Sequence, residues 1–448
     1  MSPQPRPGSE RATRTAPATA PAPTAPTASA PTAPATETRR RRPLLLRRDF
    51  GLVWASSLVS DTGDWLLMIA LPLFAFAVTG SALGASTVFL AELVPMLLLG
   101  SLLGVLVDRW DHRRTMVAAN LLQAAVLLPL LAASADRMWI VYVVAAVEAC
   151  LAAVVNPAKQ ALVPRLVERD ELGSGNALMA VAENMARLIG SPLGGLAFAV
   201  VGLPGVVLVD AASYLVSAAL VAASRPAAAP RPSPSAADGH PPARRHLLRE
   251  WVEGLRLIRR MRPLGAATGI TALGEVAQGI FLVLFIVYAT HELGYGDAGV
   301  GLLRGVQAIG GVIGGLLTGV LIRRFTPRTM VGLGYLLFGA ISLLTWNLAP
   351  VTTTLGVYVG LFIVVGIPGV ATSTGMITII QRTAPPEAMG RVVAAVTTVA
   401  GAAQGVGLLA AGLLVEHIDV VAVLNGQASL YLACGVLGLL LLGERRHA

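Results

Sequence analysis

Residues 83–114 read LGASTVFLAELVPMLLLGSLLGVLVDRWDHRR. For 25 residues, Leu83 to Val107, the run carries one charge, Glu92; five charged residues then fall within the next seven positions. An α-helix rises about 1.5 Å per residue, so about 20 such residues cross the roughly 30 Å of bilayer hydrocarbon. This run is therefore a membrane span that ends abruptly in a charged loop. Apolar runs of the same kind recur outward on both sides, at 50–78, 115–134, 138–158, 174–201 and 205–223. A second set follows at 263–290, 297–322, 328–347, 352–380, 389–414 and 419–442. The chain thus reads as an all-α integral membrane protein with twelve transmembrane helices.

Composition agrees. Of 448 residues, 55% are hydrophobic and only 13% charged, against the roughly 25% that a water-facing surface carries. The mean hydropathy is +0.70. Residues 1–43 divide into an Ala/Pro/Thr/Ser stretch, which cannot bury enough apolar surface to order itself, and the basic collar Arg39-Arg40-Arg41-Arg42-Pro43. The first stretch lacks the apolar centre of a signal peptide. The expected organisation is a disordered tail (1–43), a six-helix unit (44–223), a linker (224–262), a second six-helix unit (263–443) and a short tail (444–448). Within the linker, Leu247, Leu248, Trp251, Leu255 and Ile258 recur at three- and four-residue spacing against charged neighbours. That pattern predicts an amphipathic helix on the membrane surface.

Charge distribution fixes an expected orientation. With the N-terminus inside, the inner segments hold 28 of the Lys and Arg residues and the outer loops only Arg137. Basic residues concentrate on the cytoplasmic side, so both termini are expected there, in the cell inner (plasma) membrane. The positive net charge of +9 then reports orientation, and nucleic-acid binding is not needed to explain it. Lys159 is the only lysine and no Gly-x-x-x-x-Gly-Lys loop exists, which argues against a nucleotide-driven pump. Cys150 and Cys434 lie in apolar runs and read as small core residues. Neither a Ser-His-Asp set nor His/Cys metal spacing is present, so no enzyme activity, cofactor or metal is expected.

The charged loop has a pattern of its own. Gly104, Asp108, Arg109, Arg113 and Arg114 join a small residue that permits close helix approach to a compact charge cluster able to latch one conformation. This segment resembles the loop between the second and third helices of the major facilitator superfamily, departing from it at His112, where the family often has Gly. Gly315 to Arg324 repeats the Gly and Arg without the Asp. That degenerate copy fits two related six-helix halves. In the fifth span, Arg187, Gly190, Pro192, Gly194 and Gly195 resemble the motif associated with the superfamily's exporters. Three further stretches resemble its drug- and siderophore-exporting branch, which includes macrolide and enterobactin exporters: Asn156 to Pro164, Glu253 to Arg256, and Gln381 to Val392. The resemblance covers about 45–443. It implies two pseudo-symmetric six-helix bundles, the major facilitator fold, around a central cavity.

Charges inside the spans carry the expected chemistry. Counting inward, Asp61, Asp64, Glu148 and Glu275 fall near mid-membrane; Glu92, Glu183 and Asp210 also lie within spans, opposed by Arg187 and Arg304. A charge at the bilayer centre costs at least about 2.5–3.5 kcal/mol, so it faces a cavity or a partner. Asp61, Asp64, Glu148 and Glu275 are the candidate proton-coupling groups, with a structural hydrogen bond as the competing reading for each. Glu183 and Arg187, four apart, read as a structural ion pair; Asp210, placed near the outer end of its helix, reads as structural. Trp65, Met68, Gln278, Phe281 and Phe285 are the candidate cavity lining. The expected function is proton-coupled export (antiport) of a small amphipathic molecule such as a drug, by a monomer. The alternatives are a siderophore or pathway-product exporter of the same fold, or an uptake symporter.

Overall fold

The computed structural model describes residues 43–107, 110–225, 247–321 and 324–442. The tail before Pro43, the Asp108–Arg109 pair, Ile322 and Arg323, linker residues 226–246 and the C-terminal tail lie outside the described residues. Twelve α-helical elements follow: α1 (Arg48–Thr79), α2 (Ala82–Val107), α3 (His112–Leu127), α4 (Met138–Leu162), α5 (Leu172–Ala223), α6 (Leu247–Arg260), α7 (Arg262–Val287), α8 (Asp297–Leu321), α9 (Pro327–Asn347), α10 (Leu355–Thr383), α11 (Met389–Leu414) and α12 (Val420–Leu441). No strand occurs among the described residues. All but α6 are long and apolar enough to cross a membrane.

The element α5 supplies two crossings. Its 52 residues would reach about 78 Å at helical rise, more than twice the hydrocarbon thickness. The break is Gly202, at φ 62 and ψ −172, a backbone region open essentially to glycine alone. The arms 172–201 and 203–223 are the fifth and sixth spans, so the expected three-residue gap shrinks to one residue. Elsewhere, α4 runs through Pro157 to Leu162, past the expected end at 158. Helix starts are held by side chains: Asp111 Oδ1 accepts from the Arg114 amide at 2.9 Å, and Asp419 Oδ2 accepts from Val421 and Ala422. Gly80 closes α1 in the left-handed conformation, its amide donating to Phe76 at 2.8 Å.

Packing repeats after six crossings. In the first half α1 packs on both arms of α5, α2 on α4, and α3 on α4 and α5; in the second, α7 packs on α11 and α12, α8 on α10, and α9 on α10 and α12. The halves meet along two seams, α5 with α8 and α2 with α11. Both are built from small residues. Gly195 and Gly301 oppose each other, and a Cβ on Gly305 would meet Pro192 Cδ at 2.5 Å.

The two ends of the bundle differ. At the end carrying Gly80 and Gly202, one core joins the halves: Ile69, Leu73 and Phe89 pack with Phe285, Tyr288, Leu303 and Leu424. At the end where α1 begins and α12 finishes, the cores are separate. Val53, Val107, Met116 and Leu162 form one, and Leu264, Ile270, Ile380 and Val392 the other. The halves are therefore closed together at one end and parted at the terminal end. The amphipathic α6 is no free surface helix: Ile258 is buried, and Glu253 accepts from Arg391 Nη1 at 2.7 Å on α11. Two of the stretches singled out in sequence, 253–256 and 381–392, are thus in direct contact.

Candidate functional site

Asp64 sits sixteen residues into α1, where Gly190 and Gly194 let the first arm of α5 approach the α1 backbone; a Cβ on Gly194 would meet Leu66 O at 2.7 Å. The opposite side of α1 receives the second arm of α5, because Gly63 leaves room for the Asp210 carboxylate and Ser213. Asp64 is exposed and lines a cavity of about 360 Å³. Leu67, Met68, Phe89, Leu93 and Leu282 line that cavity, and Asp64, Glu92, Glu148, Gln123 and Tyr214 supply its polar groups. Four helices and the second arm of α5 contribute from the first half; Leu282 of α7 and Gln404 and Leu408 of α11 face them from the second.

A hydrogen-bond network links these acids. Tyr214 Oη donates to Asp64 Oδ1 at 2.6 Å, and Gln123 Nε2 donates to Glu148 Oε2 at 3.0 Å. Gln123 also reaches the Tyr214 oxygen at 3.1 Å, so one chain of contacts joins Asp64 to Glu148 through Tyr214. The second oxygen of Glu148 is buried and has no hydrogen-bond partner among the described residues. None of Asp64, Glu92 and Glu148 pairs with a cation among the described residues. A carboxylate in such a setting is costly, and a proton or a cationic ligand relieves that cost. Chemically, the cavity can exchange one for the other.

The remaining candidates fall elsewhere. Asp61, one turn from Asp64, is held by Lys159, whose Nζ lies 3.1 Å from each carboxylate oxygen. It is absent from the cavity wall. Lys159 was expected in a loop; the longer α4 carries it inside the bundle, as a third cation beside Arg187 and Arg304. Glu275 of α7 is half-buried near Tyr335 and Tyr431 and does not join the acid network. Asp210 is fully buried, seven residues into the second arm, against Gly63. Glu183 is exposed and forms no ion pair with Arg187, which turns instead to Gln307 Oε1 at 3.1 Å and stacks over Trp65.

Of the expected lining residues only Met68 reaches the cavity. Trp65 lies under Arg187, Gln278 accepts from Tyr431 Oη, and Phe281 and Phe285 stack in the core that closes the bundle. Gln123, Tyr214 and Gln404 were missed because neutral polar residues in a span carry no charge signal. Glu92 was visible as a charge inside a span but was not selected.

In the charged loop, Gly104 ends in α2, and Arg113 donates through Nε to Val221 O at 3.2 Å and through Nη2 to Ala222 O, the last turn of the second arm of α5. Cationic groups suit that carbonyl end. Arg114 supplies only its backbone amide to the helix cap. Outside the spans, Arg47 forks onto both oxygens of Glu171 at 2.6 Å, and that hydrogen bonding holds its guanidinium above the ordinary value. A surface depression of about 430 Å³ between α6 and α11 is lined by Glu253, Arg256 and Arg391, far in sequence from the acid network.

Two six-crossing halves that share a core at one end, part at the other, and enclose an acidic cavity have the two-bundle architecture of a membrane transporter. The chain belongs to the transmembrane secretion effector family of the major facilitator superfamily, whose signature matches residues 43–444. It is similar to the macrolide efflux protein A of Streptococcus pyogenes, 23% identical over 377 residues, covering 83% of this chain and 90% of that one. It is also similar to the multidrug efflux pump Tap of Mycobacterium tuberculosis H37Rv, 29% identical over 377 residues, covering 82% and 86%. Among solved structures, a bacterial homologue of the iron transporter ferroportin in an inward-facing state superposes with a TM-score of 0.66 at 16% identity, over 89% of this chain and 98% of that one. At that identity the likeness shows the fold alone.

Proposed function

We propose that this protein is a proton-coupled exporter of amphipathic, cationic small molecules, working by alternating access in the cell membrane. The observation that carries the proposal is the set of three carboxyl groups, Asp64, Glu92 and Glu148, on the wall of one largely apolar cavity, none of them in an ion pair among the described residues. In the proposed cycle, a cationic cargo enters from the cytoplasm and displaces the proton. Rocking about the α5–α8 and α2–α11 seams exposes the cavity to the outside, where protonation releases the cargo. Met68, Phe89, Leu93 and Leu282 supply the apolar surface. The concentration of Arg on the terminal end supports a cytoplasmic position for that end, so the conformer described above opens inward. The relatives named for macrolide and multidrug efflux support export over uptake. No enzymatic step is proposed.

The test uses inverted membrane vesicles and ethidium, an amphipathic cation. Ethidium should accumulate when a pH gradient, acid inside, is imposed, and Asp64→Asn and Glu148→Gln should each reduce the rate by about tenfold or more. Accumulation by both variants at the wild-type rate would remove these acids from the mechanism.

A further inference from the structure

The acids account for one wall of the interior. A second polar constellation lies where the two halves begin to part, and neither the closed core nor the acid network uses it. Arg187, on the first arm of α5, and Arg304, on α8, approach from opposite halves and both donate to a single acceptor, Gln307 Oε1, each at 3.1 Å. Each guanidinium is backed by an aromatic face: Arg187 lies 5.1 Å from the centroid of Trp65, and Arg304 lies 5.1 Å from that of Phe281. Arg304 and Gln307 are buried, and Arg187 is half-buried with its Nε fully enclosed and without a hydrogen-bond partner among the described residues. Among the described residues neither guanidinium pairs with a carboxylate.

Two like charges from two bodies, sharing one neutral oxygen, are an incomplete arrangement. A guanidinium offers five donors in a planar fork that matches a carboxylate or another small anion. Among the described residues each guanidinium has one hydrogen-bond partner, Gln307. A buried charge is normally neutralised by an opposite one, and among the described residues this pair has no carboxylate at ion-pair distance, Glu183 acting on Arg187 only from farther off. The position matters as well. One turn further along, Ser191 and Gly195 pack against Gly301, so the arginines sit at the inner end of the tight α5–α8 seam. Arg304 also borders a small pocket that shares Met68, Phe89 and Leu282 with the acid-lined cavity.

We infer that Arg187, Arg304 and Gln307 form an anion-binding site between the halves, taking a monovalent anion or the carboxylate of a cargo that carries an acid group as well as the cationic group proposed above and, by bridging α5 and α8, holding the seam closed. The anion neutralises two charges that otherwise repel across the seam. Its presence favours the conformer described here over one in which α5 and α8 separate. The site stands apart from proton coupling: it remains if transport proves independent of the pH gradient, and the gradient experiment above does not test it.

Trp65 gives the site its own readout, since iodide quenches indole emission on contact. The purified full chain in detergent is titrated with sodium iodide at constant ionic strength, with isethionate as the balancing anion. Trp65 is one of six tryptophans, so a saturable phase of the order of one-sixth of the emission should appear on top of linear collisional quenching. It should vanish in Trp65→Phe. It should also vanish in Gln307→Glu, which supplies a carboxylate from the chain itself, but persist in Glu183→Gln, which leaves both guanidiniums and Gln307 in place. Sodium chloride and sodium 4-phenylbutyrate then compete for the iodide phase. Equal potency assigns the site to a free anion, and at least tenfold greater potency of phenylbutyrate assigns it to a cargo carboxylate. Strictly linear quenching in the wild-type protein, or a saturable phase unchanged in Gln307→Glu, overturns the inference.

Discussion

Replacing Gly301 by alanine adds one methyl group at the α5–α8 seam. Its Cβ would lie 2.9 Å from Gly195 N and 3.0 Å from Gly195 Cα, and closer still to the carbonyl oxygen of Ser191. All three atoms are backbone, so no side chain can turn away; the helices must separate by about 1 Å to reach ordinary contact in a close-packed interior. Overpacking of this kind costs about 1–3 kcal/mol. The cost falls on the conformer in which the seam is closed and spares one in which α5 and α8 have parted. At 1.4 kcal/mol per tenfold, the equilibrium shifts towards the outward-opened state by about 5- to 140-fold. Gly315, on the same helix, has open space around its Cα, so Gly315→Ala is the matched control. Spin labels at Ala135 and Val351, after replacement of Cys150 and Cys434 by alanine, report the distance between the halves at the closed end by pulsed electron resonance. A longer-distance population should grow in Gly301→Ala and not in Gly315→Ala. Identical distributions in the two variants would refute the argument that this seam closes that end.

Three other outcomes follow from single contacts. Lys159→Met leaves Asp61 without its partner among the spans and should lower stability by about 2–4 kcal/mol, whereas the Asp61→Asn/Lys159→Met double variant should recover most of it, measured as Tm in detergent. Gly202→Ala meets only Pro204 Cδ, at 3.6 Å, so its cost is conformational; about 1–3 kcal/mol should be lost with no change in cavity access to cysteine reagents. Glu253→Arg should loosen α6 from α11 and speed proteolysis within α6, and the exchanged pair Glu253→Arg/Arg391→Glu should restore resistance.

Much of the architecture is legible in the sequence because length and apolarity report crossings directly, and the arginines report their order. Errors arise at helix ends. The fourth span was ended at 158, one residue past Pro157, which left Lys159 in a loop. Inside a bundle, neighbouring helices satisfy the freed backbone groups, so α4 continues and delivers Lys159 to Asp61. The acids themselves were visible because charge is rare in a span. Which of them share a cavity was not, since that depends on helix rotation. Asp61 and Asp64 stand three residues apart on α1, yet one meets Lys159 and the other Tyr214. Glu183 and Arg187 had helical spacing for a pair, but Gln307 from the other half supplies the nearer acceptor. The lining aromatics Phe281 and Phe285 were assigned to the cavity by residue type alone. The closed core of the opposite end claims them.

Proton movement driven by cargo tests the central claim most directly. Purified protein is reconstituted into liposomes loaded with the pH indicator pyranine, and an ethidium gradient is imposed with no initial pH difference. Coupled exchange through the Asp64–Tyr214–Glu148 network predicts a proton flux opposite to the ethidium flux, of fixed ratio to it, and lost in Asp64→Asn. Ethidium movement with no change in internal pH, or a proton flux that persists in Asp64→Asn and Glu148→Gln alike, would contradict it.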